Sequence, residues 1–347
     1  MNKALFIGVA ALAFSCAAAE DGFTEIFDGK TLDGWETRGG DAFYVVSNGC
    51  IRGECVMHVP FNTFLITKRH YENFIFRCEF LCEYSNSGLQ FRSGYRYVEK
   101  NKRDLISGYQ SEITPRGENN GRIYDEARRG FKGGFTWLDV GTHAKTADAA
   151  RASCATNGAW NRLEIVCCGP HIRTIVNGII VADILDDEQQ KGFFGLQIHA
   201  QMHDFKRPGV TWWRNIRVKE LGGEAVWKTV DAKPADGRVD AGEYGDVMAR
   251  AVLPKGVPLS ALVVRGIPWK SGRPEVFGKL FNPKGANEVS TIVYGDRVVH
   301  RLNGLEVFDG PLAYCGGASG GRGKVEILTD KPGCRLKVCA LDGLKED

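Results

Sequence analysis

The chain has 347 residues, of which 43% are hydrophobic and 25% are charged, and its formal net charge is +3. This composition is that of a globular protein with one large or two modest domains. A net charge this small argues against nucleic acid or an anionic membrane as a partner, and the sequence contains no basic cluster with interleaved aromatic residues.

Residues 1–19 are typical of a secretory signal, because Lys3 precedes a short apolar run that ends in three alanines. The apolar run is too short to span a membrane, and no later segment resembles a membrane span. We therefore expect cleavage after Ala19 and an exported protein, either periplasmic or extracellular. Lipoprotein processing at Cys16 is the less favoured alternative, since the residues before it do not suit such a site.

The remaining chain consists of short alternating hydrophobic runs bounded by Gly, Asn, Asp or Pro, and it contains 43 glycines. Such runs predict short strands joined by turns, and thus an all-β sandwich or jelly roll. Asn48-Gly49 and Asn177-Gly178 stand between two such runs each and indicate tight hairpins. Gly222-Gly223 follows a natural final strand, so we predict one domain at 20–221 and a second, smaller β-rich domain at 222–347.

The predicted second domain resembles part of the first. The segment from Asn161 to Asp183 aligns without gaps on the segment from Asn287 to Asp309, and the two Asn-Gly turns coincide. This pattern favours a partial repeat, although hairpins with Asn-Gly turns look alike and the match could be coincidence. The second domain lacks the motifs described below, so we expect it to serve in packing, glycan contact or dimerisation.

Ten of the eleven cysteines lie beyond the predicted signal, an even number for an exported chain. Disulfides are therefore one interpretation, and buried thiols that act as small hydrophobic residues are the other. No C-x-x-C pair occurs, which argues against a zinc knuckle.

The stretch from Ser85 to Arg129 carries the densest set of reactive groups. Its period-2 alternation predicts strands whose polar faces hold Arg92, Gln110 and Glu112. One face of an antiparallel sheet can remain in contact with water, so a guanidinium, an amide and a carboxylate would lie side by side. Such groups can hold sugar hydroxyls and transfer protons. The alternative is an ordinary solvated polar face.

Three motifs in this stretch carry a family resemblance. They are Asn-Ser-Gly-x-x-x-Arg at 86–92, Gly-Tyr-Gln-x-Glu-Ile at 108–113 and Tyr-Asp-Glu-x-Arg-Arg at 124–129. In this order they resemble the 3-keto-disaccharide hydrolase domain family, over roughly Phe23 to Leu221. The resemblance implies a concanavalin A/laminin G-like β-sandwich and a carbohydrate substrate. Many family members have Glu before Gln where this chain has Gln110 before Glu112, which leaves open which carboxylate acts.

The resemblance also implies a reaction, the cleavage of the glycosidic bond of 3-keto-glycosides. A base removes the C2 proton that the C3 ketone acidifies, the aglycone leaves from C1, and water adds back. On this basis we expect Glu112 to be the base, Arg92 and Arg128 to stabilise the enolate, and His199 to be the acid. The expected substrate-binding residues are Asn86, Gln110, Tyr124, Asp125 and Glu126.

Several alternatives stay open at this point. The sequence establishes no cofactor with certainty, and the His-x3-His spacing of His199 and His203 leaves a divalent metal open. A glycosidase that acts on ordinary sugars would use Glu112 and Asp125 as a carboxylate pair. A non-catalytic carbohydrate-binding module and a structural surface protein are the other two hypotheses, since fold does not determine function. The sequence does not determine the oligomeric state.

Overall fold

The computed structural model describes residues 22–55, 60–129, 137–138, 148, 159–200, 207–230, 237–270, 278, 280–317, 320–342 and 344. The predicted signal at 1–19 and His203 lie outside these residues. Within the described ranges, no helix has the length and apolar character needed to cross a membrane.

Fourteen strands, ending at Glu220, form two antiparallel sheets that we call the N-terminal sandwich. One sheet has the order β12-β11-β10-β6-β14-β4-β3 with β1 beside β14, and the other has the order β2-β5-β13-β7-β8-β9. The strands are β1 Thr24–Glu25, β2 Trp35–Gly39, β3 Phe43–Ser47, β4 Cys50–Glu54, β5 Thr63–Thr67, β6 Phe74–Glu83, β7 Ser87–Val98, β8 Arg103–Ile113, β9 Ile123–Glu126, β10 Asn161–Cys168, β11 His171–Val176, β12 Ile179–Leu185, β13 Phe193–Ile198 and β14 Val210–Glu220.

Ten further strands form two more antiparallel sheets, which we call the C-terminal sheets. Their orders are β15-β24-β17-β20-β21-β22 and β16-β23-β18-β19. The strands are β15 Trp227–Val230, β16 Arg238–Tyr244, β17 Val247–Leu253, β18 Leu262–Val264, β19 Ile267–Pro268, β20 Asn287–Tyr294, β21 Arg297–Leu302, β22 Leu305–Pro311, β23 Gly323–Leu328 and β24 Arg335–Ala340. Two short 3-10 helices cover Leu259–Ala261 and Leu312–Cys315. The prediction of an all-β protein is confirmed.

Strict alternation along β6 shows why these residues form a sandwich. Every second side chain from Phe74 to Cys82 is buried, and the residues between them are partly exposed. The buried rings face the other sheet, where Phe194 of β13 packs 4.7 Å from Phe74 and 4.5 Å from Phe76 between ring centroids. Full burial of one such side chain contributes about 1.5–3 kcal/mol to the free energy of unfolding.

The strands of the predicted repeat correspond closely. Strands β20, β21 and β22 each begin and end 126 residues after β10, β11 and β12, respectively. For example, β10 begins at Asn161 and β20 begins at Asn287. The Asn177 amide donates to Asn161 at 2.8 Å, and the Asn303 amide donates to Asn287 at 3.1 Å. Both sheets continue alike, as β10-β6-β14 and β20-β17-β24. These agreements go beyond a shared turn and support the partial repeat, which stays a prediction.

Six of the described cysteines are buried and carry no disulfide, which supports the thiol interpretation at those positions. Burial raises the pKa of the Cys82 thiol to about 12, and it also raises the pKa of Cys78. A thiol that stays protonated behaves as a small hydrophobic residue. The six are Cys50, Cys78, Cys82, Cys315, Cys334 and Cys339.

A bend in the β7–β8 hairpin shapes the outer face of the second sheet. The register shifts between Phe91 and Gly94, and Arg92 has a left-handed φ of 44°. Such a bulge bends the strand that contains it. Beyond the bend, the hairpin turns back towards β2 at the other end of the sheet, where Arg38 forms an ion pair with Asp104 at 3.4 Å. The hairpin therefore folds over part of the outer face.

Candidate functional site

The outer face of the second sheet carries the polar residues of the predicted motifs. Gln110 of β8 lies opposite Gln90 of β7 and Tyr124 of β9, and Glu112 lies opposite Gly88. Because side chains alternate along a strand, these residues share one face. Gln90, Gln110, Glu112 and Tyr124 are thus brought together on three neighbouring strands.

Gly88 leaves the space that this arrangement requires. A Cβ atom at Gly88 would lie 2.5 Å from Cδ of Gln110, so the Gln110 side chain occupies that space. From there Gln110 Nε2 donates to Glu112 Oε2 at 2.9 Å, while Gln110 Oε1 accepts from Gln90 Nε2 at 3.1 Å. Because Gly88 has no side chain, the Gln110 amide can reach Glu112, and the Gln90 amide in turn holds the Gln110 amide in position.

Glu112 is a buried carboxylate held by two amides. Its side chain accepts hydrogen bonds from Asn86 Nδ2 and from Gln110. Burial raises the pKa of Glu112, while the two hydrogen bonds and the charge of Arg122 oppose that rise. A desolvated carboxylate that is fixed in position and made more basic is suited to accept a proton.

Glu126 provides a second carboxyl group with a different environment. Burial raises the pKa of Glu126 to about 7, the charges of Glu112 and Asp125 add to the rise, and a hydrogen bond with Asn62 opposes it. A carboxyl group with this pKa is partly protonated at neutral pH. Two neighbouring carboxyl groups, one fixed by amide donors and one partly protonated at neutral pH, are suited to act as a base and an acid.

His199 follows β13 directly and belongs to the same face. Its Nδ1 lies 2.7 Å from the carbonyl oxygen of Ala200, and because a carbonyl only accepts, Nδ1 carries the proton. Burial lowers the pKa of His199, so the ring is neutral near pH 7 and Nε2 can accept a hydrogen bond. The predicted role of His199 as the acid does not fit this protonation.

Gln197 is a candidate site residue that the sequence analysis did not name. It lies on β13 with its side chain fully buried. Neither amide atom of Gln197 has a hydrogen-bond partner within the described part of the chain, and the same holds for Oδ1 of Asn86. A buried polar group without a partner costs about 1–3 kcal/mol, so a native protein that keeps one requires an explanation. A bound ligand with hydroxyl or carbonyl groups would supply the partners.

The structure places Arg92 away from Glu112, so the prediction of a shared polar face is wrong for this residue. Its fully buried guanidinium donates to the carbonyl oxygen of Glu72 at 2.7 Å, to that of Gly169 at 2.6 Å and to Asn73 Oδ1 at 3.1 Å. The bulge is the reason, because the shift in register turns Arg92 away from the face that Gln90 occupies. Arg92 therefore fastens β7 to neighbouring segments.

Loss of the hydrogen bonds of Arg92 should lower the free energy of unfolding. We expect Arg92→Met to lower the free energy of unfolding by about 3 kcal/mol, because several buried oxygen atoms lose their donors. Urea denaturation measures this change. Arg96→Met, at an exposed position of the same strand, is the control and should have little effect. Equal stability of the two variants would contradict the structural role of Arg92.

Asp125 and Arg128 also lie off the polar face. Asp125 alternates with Tyr124 and Glu126, is fully buried, and accepts from Nε of Arg128 at 2.7 Å and from Nε of Arg129 at 2.8 Å. The Arg128 guanidinium lies 4.2 Å from the centroid of a tyrosine ring of the core. The alternative carboxylate pair of Glu112 and Asp125 is therefore wrong, because the two face opposite sides of the sheet.

Tyr124, an expected substrate-binding residue, lies on the polar face beside a second aromatic ring. Its ring centroid lies 5.6 Å from that of Trp137 in an edge-to-face arrangement, and the guanidinium of Arg122 lies 4.1 Å from the Trp137 ring. Aromatic surface beside hydrogen-bonding groups is typical of ligand sites. Among the residues that the structure describes, no group of three or more His, Cys, Asp or Glu side chains could hold a metal ion.

Residues 22–219 match the family model of the 3-keto-alpha-glucoside-1,2-lyase-like domain. A search of curated proteins finds no match.

Solved structures with a similar fold include a candidate glycosyl hydrolase from Parabacteroides distasonis ATCC 8503, which is 17% identical at a TM-score of 0.39 over 58% of this chain and 94% of that chain. The carbohydrate binding module CBM66 from Bacillus subtilis is 12% identical at a TM-score of 0.38, over 54% of this chain and 96% of that one. A Bacillus subtilis protein of unknown function with a galectin-like fold is 10% identical at a TM-score of 0.35, over 57% and 98%.

Proposed function

Since the chain belongs to the 3-keto-alpha-glucoside-1,2-lyase-like family, a family of carbohydrate-active proteins, we propose that it cleaves the glycosidic bond of 3-keto-glycosides by elimination across C1 and C2, followed by hydration. Two carboxyl groups on one polar face support this proposal: that of Glu112, which is buried, and that of Glu126, which is partly exposed. Glu112 is held by two amides as a base, and the pKa of Glu126 is raised to about 7 as an acid requires.

The reaction begins at C2, where the neighbouring ketone makes the proton acidic. Glu112 takes this proton, and the electron pair of the C2–H bond forms an enolate with its charge on the C3 oxygen. When the C3 ketone reforms, a double bond forms between C1 and C2 and the bond from C1 to the aglycone oxygen breaks. Glu126 gives its proton to that oxygen. Water then adds at C1 and a proton returns to C2, which gives net hydrolysis.

The enolate oxygen needs a hydrogen-bond donor in a desolvated site. Arg92 and Arg128, which we expected here, are engaged elsewhere. The unpartnered Nε2 of Gln197 supports a role as that donor. The neutral His199 would accept a sugar hydroxyl at Nε2, and the rings of Tyr124 and Trp137 would contact the sugar surface.

The pH dependence of turnover tests the role of Glu126. Glu112 must be charged and Glu126 protonated, so we expect a bell-shaped profile of turnover whose alkaline limb lies near pH 7. Glu126→Gln should abolish the alkaline limb. It should also slow the release of a poorly leaving alkyl alcohol far more than the release of 4-nitrophenol, which needs no acid. An unchanged alkaline limb in this variant would contradict the assignment.

Stability gives an independent check on the same carboxyl group. The pKa of Glu126 is about 7 in the folded protein and lies above its ordinary value of 4.5. Between these values the folded chain holds a proton that the unfolded chain has lost, so the free energy of unfolding should fall as pH rises from 4.5 to 7. Glu126→Gln should reduce this slope.

The proposed function is tested by product release from a 3-keto-disaccharide beside the same unoxidised disaccharide, each with and without a chelator. We expect release from the 3-keto substrate only. Release from both would point to an ordinary glycosidase. Release from neither, with binding still detectable, would favour a carbohydrate-binding module.

We further propose that the protein acts outside the cytoplasm, on the basis of the signal pattern at residues 1–19. Mass spectrometry of the mature chain should then find Glu20 at its N-terminus. An intact Met1 in a fully active cytoplasmic fraction would contradict export.

A further inference from the structure

A buried cluster of charges joins the C-terminal sheets to the N-terminal sandwich. Arg301 of β21 is 4% exposed and reaches the two carboxylates that follow β12. Its Nη1 donates to Asp187 Oδ1 at 3.1 Å, its Nη2 lies 3.4 Å from Asp186 Oδ2, and Nη2 also donates to the carbonyl oxygen of Leu185. One guanidinium from the C-terminal sheets thus binds three groups of the sandwich.

Asp186 transmits this contact to the strands that carry the polar face. It accepts from the Tyr109 hydroxyl at 2.5 Å and from Nη1 of Arg129 at 2.8 Å. Tyr109 is the β8 residue next to Gln110. Arg129 donates in turn through Nε to Asp125 at 2.8 Å, and Asp125 stands between the two β9 residues of the polar face. A continuous chain of ion pairs and hydrogen bonds therefore runs from β21 to β8 and β9.

The charges in this chain depend on one another. Burial opposes the charged form of Asp186, but Arg129 and Arg301 hold its pKa well below the usual range. A buried carboxylate that loses one of its cations is left poorly compensated, and its neighbours must rearrange. Loss of Arg301 would therefore disturb the contacts that Asp186 makes with Tyr109 and Arg129.

We propose that Arg301 is a positioning residue for the site, which acts through Asp186 and Arg129 to hold β8 and β9 in the arrangement that brings Glu112 and Glu126 together. The C-terminal sheets are then part of the support of the site rather than a separate module. The effect on turnover rests on the proposed function, whereas the effect on the strands does not.

Arg297 offers a matched control on the same strand. It also reaches the sandwich, since its Nη1 donates to the carbonyl oxygen of Asp183 at 3.1 Å and to Asp183 Oδ1 at 3.2 Å, and its Nε donates to Asp309 at 2.7 Å. Asp183 lies in β12, which pairs with β11 and is not in the sheet of β8 and β9. Arg297→Met therefore breaks an ion pair of the same kind without breaking the chain to the site.

The experiment compares Arg301→Met, Arg301→Lys and Arg297→Met in the full chain, by hydrogen exchange of the amides at 123–126 and by steady-state kinetics with a 3-keto-disaccharide. For Arg301→Met we expect exchange to be at least about ten-fold faster and kcat to fall about ten-fold with KM nearly unchanged, because small displacements of reacting groups are costly. Arg301→Lys keeps the charge but lacks the planar fork of donors through which arginine contacts both carboxylates, so it should restore part of both losses. Arg297→Met should change neither quantity.

The positioning role of Arg301 and the proposed function are tested separately. Unchanged exchange at 123–126 in Arg301→Met, or equal changes in Arg301→Met and Arg297→Met, would overturn the positioning role. If the wild-type protein releases no product from the 3-keto substrate, the proposed function fails while the exchange comparison still tests Arg301. If Arg301→Met does not fold, the comparison of Arg301→Lys with Arg297→Met takes its place with the same criteria.

Discussion

Glu112→Gln should lower turnover of a 3-keto-disaccharide by about 10²- to 10⁴-fold, the contribution that a positioned general base makes. The amide keeps the shape of the side chain but cannot accept the C2 proton. Binding of the substrate should change little, because Asn86, Gln110 and Gln197 remain in place. Steady-state kinetics with the 3-keto substrate measure the loss, and calorimetric titration of an unreactive reduced analogue measures the binding.

Glu99→Gln is the control for this variant, because Glu99 is exposed at the far end of the hairpin and pairs only with Lys102 among the described residues. It should retain full activity. Urea denaturation of Glu112→Gln should accompany the kinetics, because the amide can accept only one of the two hydrogen bonds that the carboxylate accepts from Asn86 and Gln110. Full activity of Glu112→Gln would contradict the assignment of Glu112 as the base.

Gln197→Met should change activity and stability in opposite directions. The value of kcat/KM for the 3-keto substrate should fall by about 10²- to 10³-fold, the usual loss when one donor to a developing oxyanion is removed. The free energy of unfolding should rise by about 1 kcal/mol, because a buried amide without partners is replaced by an apolar chain of similar length. Kinetics and urea denaturation measure the two effects.

Gln90→Met provides the contrast. Gln90 is equally buried, but its amide donates to Gln110, so its loss should lower the free energy of unfolding. Unchanged activity of Gln197→Met, or a loss of stability like that of Gln90→Met, would show that the Gln197 amide is satisfied in the unliganded protein and does not serve the enolate.

Alternation was sufficient to locate the strands and the polar face. The period-2 pattern placed Gln110 and Glu112 on one side of β8, where the structure has them. The tight turn at Asn177-Gly178 likewise joins β11 to β12. These features depend on local backbone geometry, which a short stretch of sequence encodes.

Alternation does not predict the face on which the Arg92 side chain lies. The bulge beside it breaks the period of β7, and an arginine at positive φ carries no local signal, since glycine or asparagine is the usual residue there. The surrounding contacts determine this conformation, so only the structure shows that Arg92 leaves the face.

Two further residues could have been placed by parity alone. Gln197 shares a face with His199, and Asp125 lies on the face opposite Tyr124 and Glu126. The interactions of Glu126 with Glu112 and Asn62 are different, because they join residues that lie in different segments of the chain. Contacts of this kind between distant segments cannot be predicted from the local sequence pattern.

The proposed mechanism requires the base to take the proton from C2, and the position of deuterium in the product shows whether it does. The 3-keto-disaccharide is cleaved in deuterium oxide in a single turnover and quenched before the free product exchanges, with a protein-free sample to measure spontaneous exchange. Elimination and hydration predict one deuterium at C2 of the released 3-keto sugar, formed by the wild type and not by Glu112→Gln. Cleavage that leaves the original hydrogen at C2 would contradict the mechanism and favour direct displacement at C1.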